Sequence, residues 1–313
     1  MRILAVDDDP DFLALFVNAL DGMGYTDVTT ALSGQRAIDL IEDSQFGFEC
    51  LILDIKMPEM SGIDLCKIIR AHPDYAEVPI VMNTAMAEKR YIDDAFAAGA
   101  TDYLTKPIDE VEIRSRLGMV QLLIKERLRA DLSNQTVGGS GSASHSIGFY
   151  DSIPMKRIDG GIDVLAMENY LNALGIFRAL SVIAVGVHVS NAREIYDLEG
   201  GAVFAEAMLD VATCISDCLP FSAKMIAYKG GGEFVCLLPK QRERECLALG
   251  DTLLGFMTEF QRLYDDMEVR LPVVSVGTVV SCRATNITNP TRLINEAIRS
   301  AKENEVKDAR YAF

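Results

Sequence analysis

Four short stretches of this 313-residue chain end in side chains suited to phosphoryl chemistry. Asp7, Asp8 and Asp9 follow one apolar run, Asp54 a second, Thr84 a third and Lys106 a fourth. Clustered carboxylates repel, so several at one strand end cost stability unless a cation neutralises them. Their hard oxygens suit Mg2+, which takes few protein carboxylates and completes its shell with water and phosphate oxygens. A carboxylate beside Mg2+, a lysine and a hydroxyl could accept a phosphoryl group, with metal and ammonium sharing the developing charge. Lys106 precedes Pro107, a bond that can be cis. Taken singly, the three aspartates would cap a helix, Thr84 would start a turn and Lys106 would be solvated. Their joint placement argues for one pocket.

That placement needs a particular scaffold. Residues 2–6, 27–31, 50–53, 78–82 and 102–104 read as strands, and 11–20, 34–42, 63–71 and 90–98 as amphipathic helices. Asp109 opens a last helix that runs toward Leu132. Strands alternating with helices predict a parallel sheet, because parallel neighbours need crossover connections. In such a sheet reactive residues belong at the carboxyl ends of the strands, where all four groups fall. Leu117, Val120, Ile124, Leu128 and Leu132 recur at three- and four-residue steps, which predicts a short two-stranded coiled coil, with packing on the helix's own domain as the alternative.

Composition sets the limits. Apolar residues make up 49% and charged residues 24% of the chain, ordinary values for a globular protein long enough for two domains. A net charge of -16 disfavours nucleic acid and anionic membrane as partners. No apolar run reaches the ~20 residues of a membrane span, and the start turns acidic too early for a signal peptide. Seven scattered cysteines fit a reducing cytoplasm, with Cys214 and Cys218 read as buried apolar residues rather than zinc ligands. The small polar residues of 133–147 mark a linker. The expected division is 1–129, a linker at 130–157, and a second domain at 158–313.

The first domain resembles the receiver domains of two-component response regulators, over Met1 to about Arg129. The resemblance rests on Val6-Asp7-Asp8-Asp9, on Leu53-Asp54-Ile55-Lys56-Met57-Pro58 with Gly62, on Thr84-Ala85, and on Tyr103-Leu104-Thr105-Lys106-Pro107. It implies a flavodoxin-like (βα)5 fold with Asp54 as phosphoacceptor. It implies Mg2+ held by Asp7, Asp8, Asp54 and the Lys56 backbone carbonyl, with Thr84 and Lys106 on the phosphoryl group. Tyr103 would be an aromatic switch, entering from outside as Thr84 moves. A histidine kinase or phosphotransfer protein would be the donor, and a homodimer through the receiver and its long helix the assembly. Arg90, Asp93, Asp94, Asp102, Arg114 and Arg116, on the face made by the fourth helix, fifth strand and fifth helix, could pair across such a dimer, or could simply be solvated.

In the second half, Gly230-Gly231-Gly232-Glu233-Phe234 between apolar runs reads as a tight β-hairpin. Strands at 180–189 and 273–280, a helix at 204–218 and a closing helix from Pro290 to about Glu303 suggest an α+β, ferredoxin-like layer. With Ser275-Val276-Gly277 and the segment from Glu296 to Lys302, this half resembles a GGDEF domain, the nucleotidyl-cyclase-like fold of diguanylate cyclases. The resemblance implies acids for metal at the third hairpin position and near the end of the first strand. Here they are Gly232 and a run through His188 that lacks a carboxylate. The product-inhibition pair falls on Phe221 and Lys224. The expectation is a catalytically inactive domain that signals to an unknown downstream protein. The alternatives are an active cyclase with an atypical site and a non-catalytic sensor of GTP or cyclic di-GMP.

Overall fold

The computed structural model describes residues 1–44, 47–85, 88–107, 109–136, 147–155, 157–221, 223–281 and 290–311; side chains of 126–136, 176–177, 290 and 305–311 lie outside the description. The chain divides into two units, Met1–Gly139 and Ser140–Phe313.

In the first unit, β1 (Ile3–Val6), β2 (Val28–Ala31), β3 (Cys50–Leu53), β4 (Ile80–Thr84) and β5 (Asp102–Thr105) are parallel, in the order β2-β1-β3-β4-β5. This is the flavodoxin-like order. β1 and β3 are buried at every position, which is why they are continuous apolar runs rather than alternating ones. The crossovers are α1 (Pro10–Gly22), α2 (Gly34–Asp43), α3 (Gly62–Ala71) and α4 (Lys89–Ala97), and α5 (Glu110–Thr136) follows the last strand. Asp9 caps α1 by accepting from the amides of Asp11 and Phe12, and Pro10 sits where its missing N–H is no loss. Leu13, Phe16 and Leu20 of α1 then meet Ile113, Leu117 and Val120 of α5 in one core.

That core corrects the reading of the α5 stripe. Leu117 and Val120 are buried in it and Ile124 packs against it, so these three serve their own unit. Leu128 and Leu132 fall among the side chains outside the description. On the charged face Arg116 pairs with Asp102 at 3.2 Å and Lys89 with Asp93 at 2.6 Å.

The second unit contains α6 (Val164–Ala179), β6 (Val182–Val189), α7 (Ala192–Glu199), α8 (Gly201–Cys218), β7 (Met225–Gly230), β8 (Glu233–Pro239), α9 (Glu243–Cys246), α10 (Leu249–Asp266), β9 (Val274–Val276), β10 (Val280–Ser281) and α11 (Pro290–Tyr311). Its sheet is antiparallel in the order β10-β6-β8-β7, with β9 also pairing β6. The unit is α+β, and from β6 to β9 the elements follow a β-α-β-β-α-β plan with a pair of helices, α7–α8 and α9–α10, at each helical place. The single strand expected at 273–280 is two. It breaks after Val276, where Gly277 donates to the Gly186 carbonyl at 2.9 Å and lies against the backbone of α11. The span 130–157, expected as linker, is taken up at both ends. Helix α5 continues to Thr136 because nothing before Gly138 breaks it, and Ile153 and Met155 are core residues of the second unit. Residues 137–146, the centre of that linker, lie outside the described residues.

Burial pushes the Cys214 thiol to about 12 and the Cys218 thiol to about 11, the behaviour of inert packed cysteines. No helix among the described residues is long and apolar enough to cross a membrane.

Candidate functional site

Parallel pairing carries the candidate residues to one edge of the first sheet. The Asp7 amide donates to the Ala31 carbonyl at 3.1 Å, and the Asp54 amide to the Val6 carbonyl at 2.9 Å. Both side chains are nearly dry, Asp7 at 2% and Asp54 at 5% exposure. Between them lies the Lys106 ammonium, 2.6 Å from Asp7 Oδ2 and 3.1 Å from Asp54 Oδ1. The remaining carboxylate oxygens are held by backbone: the Asp9 amide donates to Asp7 Oδ1 at 3.0 Å, and the Lys56 amide to Asp54 Oδ2 at 2.8 Å. Burial raises the Asp54 pKa above the ordinary carboxylate value, outweighing the lowering by the nearby Lys106 charge. For Lys106, burial alone lowers the pKa, but its bonds to Asp7 and Asp54 and their charges overcome this and raise it.

Thr84 closes β4, almost fully buried, and its carbonyl accepts from the Lys106 amide at 2.9 Å, so hydroxyl-bearing residue and lysine are neighbours. The Lys106–Pro107 bond is cis. Gly62 opens α3 directly against the loop after Asp54, where a Cβ would stand 2.0 Å from the Asp54 carbonyl oxygen. Asp8 is exposed and does not join Asp7 and Asp54. Among the described residues no three His, Cys, Asp or Glu side chains are grouped as a metal cage. The pair of buried carboxylates nonetheless suits a hard cation. With Lys106 the one cation bonded to them among the described residues, one negative charge is left over in a site with little water.

Tyr103 is 3% exposed, already inside the unit. The expectation that it enters from outside does not describe this conformation. Its amide donates to Asp102 Oδ1 at 2.8 Å, and burial lifts the Asp102 pKa to about 6 against the pull of Arg116. A carboxyl whose folded pKa exceeds its unfolded value adds stability below about pH 4, and that stability is lost as pH rises through about 6. Asp102→Asn is therefore expected to flatten the pH dependence of β4 and β5 amide protection between pH 4 and 6 by about 2 kcal/mol. Hydrogen exchange as a function of pH measures it, and an unchanged slope would assign the dependence to another group.

In the second unit the glycine signature is the hairpin between β7 and β8. Gly231 and Gly232 form a two-residue loop with φ of 60° and 80°, the left-handed pair that such hairpins favour. Gly232 is tightly enclosed. Its amide donates to the Tyr228 hydroxyl at 3.1 Å, its carbonyl accepts from Val189 at 2.9 Å, and a Cβ there would lie 2.5 Å from Ala192 Cβ. The position therefore lacks an acid and lacks room for one. From the other side, the Gly231 amide donates to the Phe149 carbonyl at 2.9 Å. Glu233 is bonded to Lys302, and His188 stands opposite Glu233 in the sheet register. Phe234 is buried in the core, as a backbone-supporting residue should be.

Lys224 has a role the sequence did not announce. It is buried, and its ammonium donates to the Ser216 and Leu219 carbonyls at 2.9 Å each, closing the end of α8. It also meets Asp159 at 2.8 Å, but that carboxylate is 79% exposed and contributes little. The two carbonyl bonds decide the effect. Lys224→Met is expected to destabilise the second unit by about 3 kcal/mol, read from its urea midpoint, and a loss under about 1 kcal/mol would deny the cap its importance. Phe12 was legible only as an apolar position of α1, yet its ring lies against Lys106. No sequence spacing signals that contact.

Comparison with known proteins places these observations in a family. The model of the response regulator receiver domain matches residues 3–118. Chemotaxis protein CheY1 of Helicobacter pylori is 35% identical over 120 residues, which are 38% of this chain and 96% of that protein. The uncharacterized transcriptional regulatory protein YrkP of Bacillus subtilis is 40% identical over 116 residues, 37% of this chain and 47% of that protein. The solved structure of chemotaxis protein CheY4 of Vibrio cholerae is 30% identical with a TM-score of 0.36, covering 38% of this chain and 97% of that one. Similarity that spans nearly the whole of a receiver protein, over the residues that build the acidic pocket, makes this chain a member of the response regulator family through an N-terminal, CheY-like receiver domain of two-component signalling.

Proposed function

We propose that the chain is a phosphorylation-controlled switch in which Asp54 accepts a phosphoryl group and the second unit, a degenerate GGDEF-like domain, relays the change through protein contacts without cyclase chemistry. The observation that carries this is the Lys106 ammonium shared by the buried Asp7 and Asp54 carboxylates. A histidine kinase or phosphotransfer protein is the donor. Asp54 oxygen attacks phosphorus, the bond from phosphorus to the donor nitrogen breaks, and the electron pair leaves with the imidazole. Lys106 follows the new oxygens, and the Thr84 hydroxyl donates to one of them. Asp7, Asp54, the Lys56 carbonyl and Asp8 from the rim offer oxygen ligands for Mg2+, which when bound would share the phosphoryl charge.

Phosphorylation adds roughly 1.5–2 negative charges to a pocket already in excess of carboxylate, so the free-energy balance among nearby conformers shifts. The face of α4, β5 and α5 is the part that answers, and a homodimer through the receiver unit is the proposed assembly. Absence of catalysis rests on Gly232, where metal-dependent joining of nucleotides would need an acid. Incubation with acetyl phosphate and Mg2+ should add one phosphoryl mass to the intact protein. Failure of the wild-type chain to gain it would remove the proposal.

A further inference from the structure

Lys106 makes a third contact besides its two carboxylates. Its ammonium lies over the Phe12 ring, 4.0 Å from the centroid. The negative face of an aromatic ring attracts a cation, and more strongly where water is scarce. The ring is itself held. Phe12 stacks on the buried Phe16 at 5.7 Å with planes 19° apart, and its amide donates to Asp9 Oδ1 at 3.1 Å. The Asp9 amide in turn donates to Asp7 Oδ1, and Asp7 Oδ2 accepts from Lys106. A closed circuit thus runs from Asp7 through Asp9 and Phe12 to Lys106 and back to Asp7. Every link within it is a hydrogen bond, a chain step or a ring contact.

We infer that Phe12 is a positioning residue for phosphoryl transfer, setting the Lys106 ammonium where it meets the phosphoryl oxygens as phosphorus bonds to Asp54. This rests on the reading of Asp54 as phosphoacceptor. With acetyl phosphate, an Asp54 oxygen bonds to phosphorus as the phosphorus–oxygen bond to the acetyl group breaks, and acetate leaves with the electron pair. A lysine with four rotatable carbons loses its aim when one wall is removed, since its charge alone does not fix its direction. Leucine at position 12 keeps apolar bulk but has no ring quadrupole; tyrosine keeps the ring.

The test uses the full chain in two measurements. NMR of the protein without donor should find the Lys106 ε-methylene protons shifted upfield by the ring, the shift lost in Phe12→Leu and kept in Phe12→Tyr. Labelling by acetyl phosphate in Mg2+ should be about fivefold slower in Phe12→Leu and near the wild-type rate in Phe12→Tyr. An unshifted wild-type Lys106 resonance overturns the proposal, and so do equal labelling rates for Phe12→Leu and wild type. In that last case both proteins still label and the phosphoacceptor reading stands. No label on either protein removes both.

Discussion

Asp54→Asn is expected to take up no phosphoryl group from acetyl phosphate in Mg2+, while the wild-type chain is expected to label. The substitution keeps the shape of the side chain, and an amide oxygen can still accept from the Lys56 amide that now bonds Asp54 Oδ2. What it removes is the anionic oxygen that must bond to phosphorus. The pocket should not collapse in response. Burial already raises the Asp54 pKa, so its ionised form is held at some cost to stability. With asparagine there, Asp7 and Lys106 remain as a one-to-one pair at 2.6 Å. Stability of the first unit is expected to stay within about 1 kcal/mol of wild type or to rise. Intact-mass spectrometry with thermal unfolding on the same sample separates chemistry from folding. Full labelling of a folded mutant would move the acceptor to another carboxylate.

On the proposed reading of the second unit as GGDEF-like, Gly232→Asp supplies the acid that cyclase chemistry would need, and the expected result is an unstable domain without activity. Two penalties add. At φ of 80° a residue with a Cβ sits in the left-handed region, which costs roughly 1–2 kcal/mol. The Cβ would also lie 2.5 Å from Ala192 Cβ and 3.0 Å from the Val189 carbonyl oxygen, and such overpacking costs roughly 1–3 kcal/mol. Together they predict a loss of about 2–5 kcal/mol from the second unit. Gly232→Ala should lose a similar amount, because the obstruction begins at Cβ. Denaturant unfolding reads the stability, and chromatography of GTP and Mg2+ reactions reads cyclic di-GMP. A Gly232→Asp protein as stable as wild type that makes the dinucleotide would defeat the proposal of a silent domain. The same experiment on phosphorylated wild-type protein covers the atypical cyclase.

Much of the first unit was legible because its signals are local. Continuous apolar runs such as residues 50–53 mark strands buried on both faces, and polar residues directly after them mark the reactive edge. The positions of Asp7, Asp54, Thr84 and Lys106 needed only that rule. The two-residue glycine hairpin was equally plain, since few other residues tolerate two successive left-handed conformations. Two readings went astray where the local pattern was ambiguous. The α5 stripe fits a partner helix or its own domain, and the structure spends Leu117 and Val120 on the latter. The polar stretch before the second domain hid Ile153 and Met155, two isolated apolar residues too sparse to show periodicity.

By itself the sequence determined which residues occupy strand ends, the alternation that demands a parallel sheet, and the glycine pair of the second unit's hairpin. These depend on neighbours along the chain and on the presence or absence of a functional group. Only the tertiary structure decided that Lys106 bridges Asp7 and Asp54 under the Phe12 ring, that Asp8 stays outside, that Lys224 closes α8, and that Ala192 fills the space at Gly232. The contacts of Lys106 with Asp7, Asp54 and Phe12, and of Ala192 with Gly232, join residues far apart in the chain through a few ångströms of space, and short-range forces acting over such distances leave no periodic trace in the order of the amino acids.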